Sequence, residues 1–258
     1  MSAPVMERIL AHLRRADELA VDQVVPTAHG KALLTPSLPL VWALNAVSVE
    51  DTSADPDELA AEAEDVLGHA GHRKLLVADP GQGARLAPRL AAEGWNVYRL
   101  LVMVRDRPAE LARAGAGAEV DRATGAATLA AFRREQPFGW QEAAVEQLAA
   151  MDERYARASR ARDFAAPPDN PACACRLYTA NGLAQVDEVG TLEARRNQGH
   201  ASAAVLAAAE RAADEGCDPV FLLTDASDWP RHLYARLGFS AVGELYEFLK
   251  LPLGSPRP

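Results

Sequence analysis

From Val186 to Phe239 the chain reads V-D-E-V-G-T-L-E-A-R-R-N-Q-G-H-A-S-A-A-V-L-A-A-A-E-R-A-A-D-E-G, then C-D-P-V-F-L-L-T-D-A-S-D-W-P-R-H-L-Y-A-R-L-G-F. No other stretch restricts the fold as much. The apolar alternation running to Leu192 predicts a strand, and a charged, glycine-containing turn follows it. Beyond the turn, Ala201, Ala204, Val205, Ala208 and Ala212 recur at helical spacing. Gly216 ends that helix, Val220 to Thr224 reads as a buried strand, and Trp229 to Leu237 as a short helix closed by Gly238. Tyr234 falls near the end of this last helix.

The turn Arg196-Asn197-Gln198-Gly199-His200-Ala201 lies where the first helical amides lack intrahelical partners and the helix dipole is positive, which makes an anion site. Gly199 lets backbone approach a phosphate closely, and Ala201 keeps the first turn uncrowded. Arg195 and Arg196 add positive charge, so a pyrophosphate is the expected guest.

These residues resemble the GCN5-related N-acetyltransferases (GNAT enzymes). Their pyrophosphate loop, [Q/R]-x-x-G-x-[G/A], is matched by Arg196, Gly199 and Ala201. Their later helix often ends L-Y-x-[K/R]-x-G-F, matched by Leu233, Tyr234, Arg236, Gly238 and Phe239. The resemblance spans Glu119 to Leu251 and is most specific in its second half. It implies a mixed α/β sheet flanked by helices and an acyl-CoA, acetyl-CoA first, bound along Val189, Gly190, Thr191, Leu192 and the loop Arg196, Asn197, Gln198, Gly199, His200 and Ala201. Asp225 and Ser227, where the next strand meets the last helix, are expected beside the pantetheine. Tyr234 takes the family's role of proton donor to the departing thiolate.

For the base, several relatives carry glutamate where Gln185 falls, and glutamine cannot take a proton. Asp187, two residues on and on the same strand face, is the substitute expected, with Glu188 on the opposite face behind it. Gln136-Pro137-Phe138-Gly139-Trp140 breaks two helices, Ala126 to Arg134 and Gln141 to Ala158; helices at this place commonly wall the family's acceptor pocket, so Phe138 and Trp140 are the acceptor-site candidates. A helix-helix turn anchored by its aromatics is the plainer account of the same residues.

Upstream, the order strand, helix, strand, helix ended by Gly-aromatic, strand recurs. L-A-A-E-G-W (Leu90 to Trp95) lines up with Y-A-R-L-G-F, and L-L-V-A-D (Leu75 to Asp79) with L-L-T-D. This predicts a two-lobe tandem: an accessory, degenerate lobe over 1–106, a linker over 107–117 and a catalytic lobe over 118–258. Strands are expected at Leu40 to Val49, Leu75 to Ala78 and Val97 to Val104, with helices over Asp57 to Leu67 and Ala84 to Glu93. Leu90 stands where a tyrosine would be needed, and the turn Glu50 to Pro56 holds several acids and no glycine, so carboxylates would repel a pyrophosphate there.

At 258 residues there is ample chain for a core, and the net charge of −9 disfavours a general nucleic-acid binder, leaving tRNA only as an acyl donor. The first twenty residues predict an amphipathic helix and not a secretory signal, and no run approaches a membrane span. Three cysteines make a disulfide framework unexpected. Cys173 and Cys175 read as small residues on one strand face, His69 and His72 as a solvated helix terminus, and no metal is expected. The tail Gly254 to Pro258 is expected to be disordered. The sequence therefore points to a cytoplasmic, bacterial N-acetyltransferase acting on a primary amine of a small molecule or peptide, and it leaves a homodimer open. Two rivals stay open: transfer from another donor (a longer acyl-CoA, a carrier-bound acyl group or an aminoacyl-tRNA), and a non-catalytic regulator that binds CoA thioesters.

Overall fold

In the computed structural model, described for residues 2–109 and 116–252, eleven strands form one sheet. The amino-terminal half runs α1 (Ser2–Ala20), β1 (Gln23–Pro26), β2 (Gly30–Leu34), β3 (Ala46–Val49), α2 (Pro56–Val66), β4 (Arg73–Val77), α3 (Pro80–Ala92) and β5 (Asn96–Arg105). The carboxyl-terminal half runs β6 (Ala118–Val120), α4 (Arg122–Arg134), α5 (Glu142–Ala158), β7 (Arg160–Ala166), β8 (Cys173–Ala180), β9 (Leu183–Thr191), α6 (His200–Asp214), β10 (Val220–Asp225), α7 (Pro230–Arg236) and β11 (Phe239–Lys250). Most of the linker, and the tail beyond Pro252, lie outside the described residues.

The strand order is β1-β2-β3-β4-β11-β5-β10-β9-β8-β7-β6. The two innermost places are exchanged: β11, made last, lies between β4 and β5, and β5 lies between β11 and β10. β5 is antiparallel to both neighbours, pairing Asn96 to Arg105 with β11 and Leu100 to Val104 with β10. The succession β3-α2-β4-α3-β5 repeats as β9-α6-β10-α7-β11, as the sequence repeat predicts.

Helices cover both faces. On one, α2 and α3 bury Leu59, Leu86 and Leu90 against Leu75, Val77 and Phe248, while α6 and α7 bury their alanines, Tyr234 and Leu237 against Cys175, Leu177, Val186 and Leu222. On the other, α1 lies across the junction of the halves, with Ile9 fully buried against Val102, Phe221 and Leu245. A stripe drawing on three strands from both halves is apolar area that neither could bury alone. Next to α1, α5 is tied to the amino-terminal half by Tyr155 donating to Asp17 (2.7 Å) and by Arg154 on Asp22 (2.8 Å).

Local signals explain most boundaries. Asp55, Asp79 and Asp121 cap α2, α3 and α4 by accepting from the amides of Asp57, Gln82 and Thr124. Asn181 (φ 52°) and Gly182 (φ 77°) make the turn that pairs β8 with β9. The expected strand over Leu40 to Val49 is shortened to β3, because Trp42 to Leu44 form a 3-10 turn. The buried Asn45 side chain holds that turn, donating to the carbonyls of Leu38 and Val41 and accepting from the Thr35 amide.

Candidate active site

The loop that the sequence offers as a phosphate site has the strand-turn-helix setting expected of it. A 3-10 turn over Glu193 to Arg195 leads from β9 into Asn197 (φ 61°) and Gly199 (φ 80°), the residue from which α6 begins. Gly199 offers no side chain to the first amides of α6, and the first turn holds no acid. A positive φ with bare amides behind it is suited to oxygen-rich anions, so these residues fit the pyrophosphate of a coenzyme A. Arg196, Asn197 and Gln198 are exposed around it, and His200 lies within 3.3 Å of Gln198 Oε1.

Below this loop the sheet opens. β9 pairs with β10 only at Ala184–Val220 and Gln185–Phe221, although β9 continues to Thr191 and β10 to Asp225. β9 stays bound to β8 as far as Thr191, and β10 to β5 as far as Asp225, so the two strands diverge while their outer edges remain held. Among the described residues the inner edge from Val186 onward, including Val189, Gly190 and Thr191, has no strand partner and can pair with the amides of an extended arm. The Leu192 amide turns the other way, to the carbonyl of Ala172. Gly190 is small for a packing reason too, since a Cβ there would lie 2.5 Å from the Phe132 ring. Across the cleft, Asp225 accepts from both the amide and the hydroxyl of Ser227 at 2.6 Å.

A bulge at Glu188 changes one expectation. The pairing with β8 jumps from Asp187–Arg176 to Gly190–Ala174, and Glu188 takes φ 53°. Strand alternation put Glu188 on the face opposite Asp187; the extra residue cancels that, and Glu188 reaches Arg133 of α4 at 2.5 Å, on the α4–α5 side. Arg133 also holds Asp152 through two bonds (2.8 and 2.9 Å), and buried Arg176 bridges Asp152 and Asp163, both at 2.8 Å. This buried ion network joins α4, α5, β7 and β8 and fixes one oxygen of Glu188.

Asp187 faces the same side. Its carboxylate accepts from Gln185 Nε2 (3.0 Å) and from the Glu188 amide (2.8 Å). Burial, and then the charge of Glu188, push its pKa up to about 7. Tyr234 comes from the other face: it is 8% exposed, packs edge-on to Phe239 at 6.3 Å and belongs to the cluster around Cys173 and Cys175. Burial raises its phenol above the ordinary tyrosine value. The acid and base candidates therefore flank the open cleft from opposite sides. Cys173 and Cys175 do share a buried strand face, as expected, and burial raises the Cys173 thiol to about 11.

Phe138 and Trp140 part company. Phe138 lines a cavity of about 490 Å³, whereas Trp140 is 74% exposed and is not part of its lining. Glu188 lies at this cavity, and the facing wall is amino-terminal: Leu40, Val41, Trp42 and His72. Nothing in the sequence pointed to that wall. His72 corrects the reading of a solvated helix end: it is buried, Nε2 lies 3.0 Å from the Asn45 carbonyl, and burial lowers its pKa to about 4. A second cavity of about 550 Å³, more polar, lies beside α1 with Asp17 and Glu247; Lys74, paired with Glu247 at 2.9 Å, lines both.

The loop, the open strands and the tyrosine helix together make a fold of the acyltransferase type. Residues 126–239 match the model of the acetyltransferase (GNAT) family, and the carboxyl-terminal half is a domain of that family. A GCN5-related N-acetyltransferase from Kribbella flavida is similar in fold, with 20% identity, 98% of this chain and 96% of that chain covered, and a TM-score of 0.57. A functionally unknown conserved protein from Staphylococcus epidermidis ATCC 12228 aligns at 16% identity over 91% and 96% of the chains with a TM-score of 0.63. A tandem GNAT protein from the clavulanic acid biosynthesis pathway aligns at 14% over 94% and 89% with a TM-score of 0.52. No curated protein matches this sequence. Among the described residues, no helix is long and apolar enough to cross a membrane.

Proposed function

We propose that the protein is an acetyl-CoA-dependent N-acetyltransferase acting on a primary amine, with its chemistry in the carboxyl-terminal half and an accessory amino-terminal half. The observation that carries this reading is the uncapped start of α6 set above the divergence of β9 and β10, a phosphate site and a thioester slot in line. Bound there, acetyl-CoA supplies an activated acyl carbon. The chain's part is to hold it, to free the amine lone pair and to provide a proton for sulfur.

The amine approaches from the α4–α5 side. Asp187, with a pKa near neutrality, takes its proton directly or through water, helped by Glu188, whose one oxygen Arg133 holds in place. As the C–N bond forms and the C–S bond breaks, Tyr234 is the group on the far side of the cleft that can protonate the thiolate. A phenol less acidic than usual keeps its proton until negative charge develops on sulfur, so transfer is concerted with C–S cleavage.

The test is calorimetric titration of acetyl-CoA, followed by acetyl transfer to a panel of amines. Tyr234→Phe is expected to keep cofactor affinity and lower kcat by about 10²- to 10⁴-fold. Unchanged turnover would remove Tyr234 from the mechanism. Tighter binding of a longer acyl-CoA would reassign the donor, and binding without transfer to any amine would favour a regulator.

A further inference from the structure

Resting on the acyltransferase reading above, we propose that the 490 Å³ cavity between the halves is the acceptor site, and that it takes a primary amine carried on an apolar aliphatic or aromatic body, selected largely by the amino-terminal half.

Position comes first. The cavity opens on the α4–α5 side of the sheet, where Asp187 and Glu188 lie, and Glu188 is part of its wall. Arg133 engages Glu188 through Oε2, which leaves Oε1 to meet an ammonium group. The size falls within the roughly 300–1,000 Å³ of small-molecule sites.

The wall chemistry decides the class. Leu40, Val41 and Trp42 face Phe138, Leu148 and Met151 across the space. The polar groups are few and largely committed. Lys74 is held by Glu247, and His72 must donate from Nε2, because the Asn45 carbonyl it meets can only accept. Burial lowers the His72 pKa to about 4, so the ring is neutral and presents no positive charge to an approaching amine. A polyamine or amino sugar would have to desolvate several charges or hydroxyls against Leu and Phe with nothing to receive them, whereas an apolar amine leaves only its nitrogen to satisfy, at Glu188. Leu40 adds an independent sign. It is 40% exposed, yet its amide is pinned across the halves by Gln147 Oε1 at 2.9 Å. An apolar side chain left open to solvent beside a cavity, on backbone that is pinned in place, is accounted for when a ligand covers it.

The experiment uses the full chain with CoA present. Calorimetry measures binding of phenethylamine, of the dipeptide phenylalanyl-glycine and of spermidine, and acetyl transfer to each is measured separately. Phenethylamine is expected to bind at least tenfold more tightly than spermidine; comparable binding of the dipeptide would identify the source of the apolar amine as a peptide amino terminus. Leu40→Ser and Phe138→Ala, neither fully buried, should each weaken phenethylamine about five- to tenfold and leave acetyl-CoA affinity unchanged. Spermidine binding as tightly as phenethylamine, or both variants leaving phenethylamine affinity unaltered, overturns the proposal. Specific apolar-amine binding with no acetyl transfer would instead uphold the cavity and overturn the transferase reading, so the two failures are distinguishable.

Discussion

Helices α2 and α6 occupy matching places in the two halves and begin in opposite ways. At α6 a glycine in a left-handed conformation leaves the first amides bare, and no acid stands in the first turn. At α2 the chain supplies its own anion: Asp55 accepts from the Asp57 amide at 2.8 Å, and Asp57 and Glu58 follow in the first turn. The preceding loop is closed by its own bonds. Asp51 takes the amide and hydroxyl of Ser53, Gln82 donates to the Asp51 carbonyl, and Arg85 bonds the carbonyls of Thr52 and Ala54. The Ser53 bonds hold Asp51 down to about 2, so the negative charge persists at any ordinary pH. The strands beneath differ in the same sense. The four-residue β3 is paired with β4 at three positions, whereas the nine-residue β9 meets β10 at two. One fold segment thus leaves its helix amides and strand edge open in one half and seals them in the other, depending on whether the chain satisfies those groups itself.

The severest way to break this comparison is to remove the sealed half. A fragment beginning at Gly117 lacks β5, the shared neighbour of β10 and β11. It should show no cooperative thermal transition by circular dichroism and no acetyl-CoA binding; a well-folded, active fragment would make the halves independent modules. Next in size is a transplant: Gly199→Asp gives α6 an acidic start like that of α2 and strains the positive φ. Acetyl-CoA affinity is expected to fall roughly 30- to 100-fold by calorimetry.

Asp187→Asn sharpens the chemical half of the comparison. In the wild type the rate should rise as pH passes through about 7, and the variant should lose that rise. Stability carries the opposite sign. Because the folded carboxyl titrates near 7 and the unfolded one near 3.9, the wild type loses stability as pH climbs between those values and then levels off. The variant should therefore be more stable than wild type at pH 8, by up to about 4 kcal/mol, and no different below about pH 4 in denaturant titrations. The smallest effect is expected at Asp55→Ala, about 1 kcal/mol of stability from the lost cap, with acetyl-CoA still binding at one site and unchanged affinity.

The Gly199 loop, its helix and the Asn-Gly hairpin were legible because each depends on neighbours in sequence: a glycine at the cap, alanines at helical spacing, a turn dipeptide. Strand β7 was not foreseen. Its residues Arg162 and Asp163 are both buried, satisfied by Glu215 and by Arg122 and Arg176 from elsewhere in the chain, so no apolar alternation survives to be read. The Glu188 bulge hides for a similar reason. Nothing local marks it, and the geometry is held by Arg133, fifty-five residues away in sequence. His72 looked like an exposed helix end because its partner, the Asn45 carbonyl, directly follows a 3-10 turn that itself interrupts an apolar run. In the candidate site, the loop and strand residues proposed to bind by backbone lie in the turn and the strand end where the sequence put them, whereas the wall from Leu40 to Trp42 depends on how two distant halves meet.

The exchanged strands also govern the order in which the protein can mature. During synthesis β1 to β5 emerge first, but β4 and β5 are not neighbours in the sheet; β11 must lie between them, bonded to β4 through Arg73 to Val77 and to β5 through Asn96 to Arg105. Neither half can close its sheet until Phe239 to Lys250 have left the ribosome, and then both close together. Such pairings across more than a hundred residues carry a large loop-closure cost and fold slowly. Until then the edges of β4 and β5 that β11 will cover stay unmatched and open to pairing with other chains.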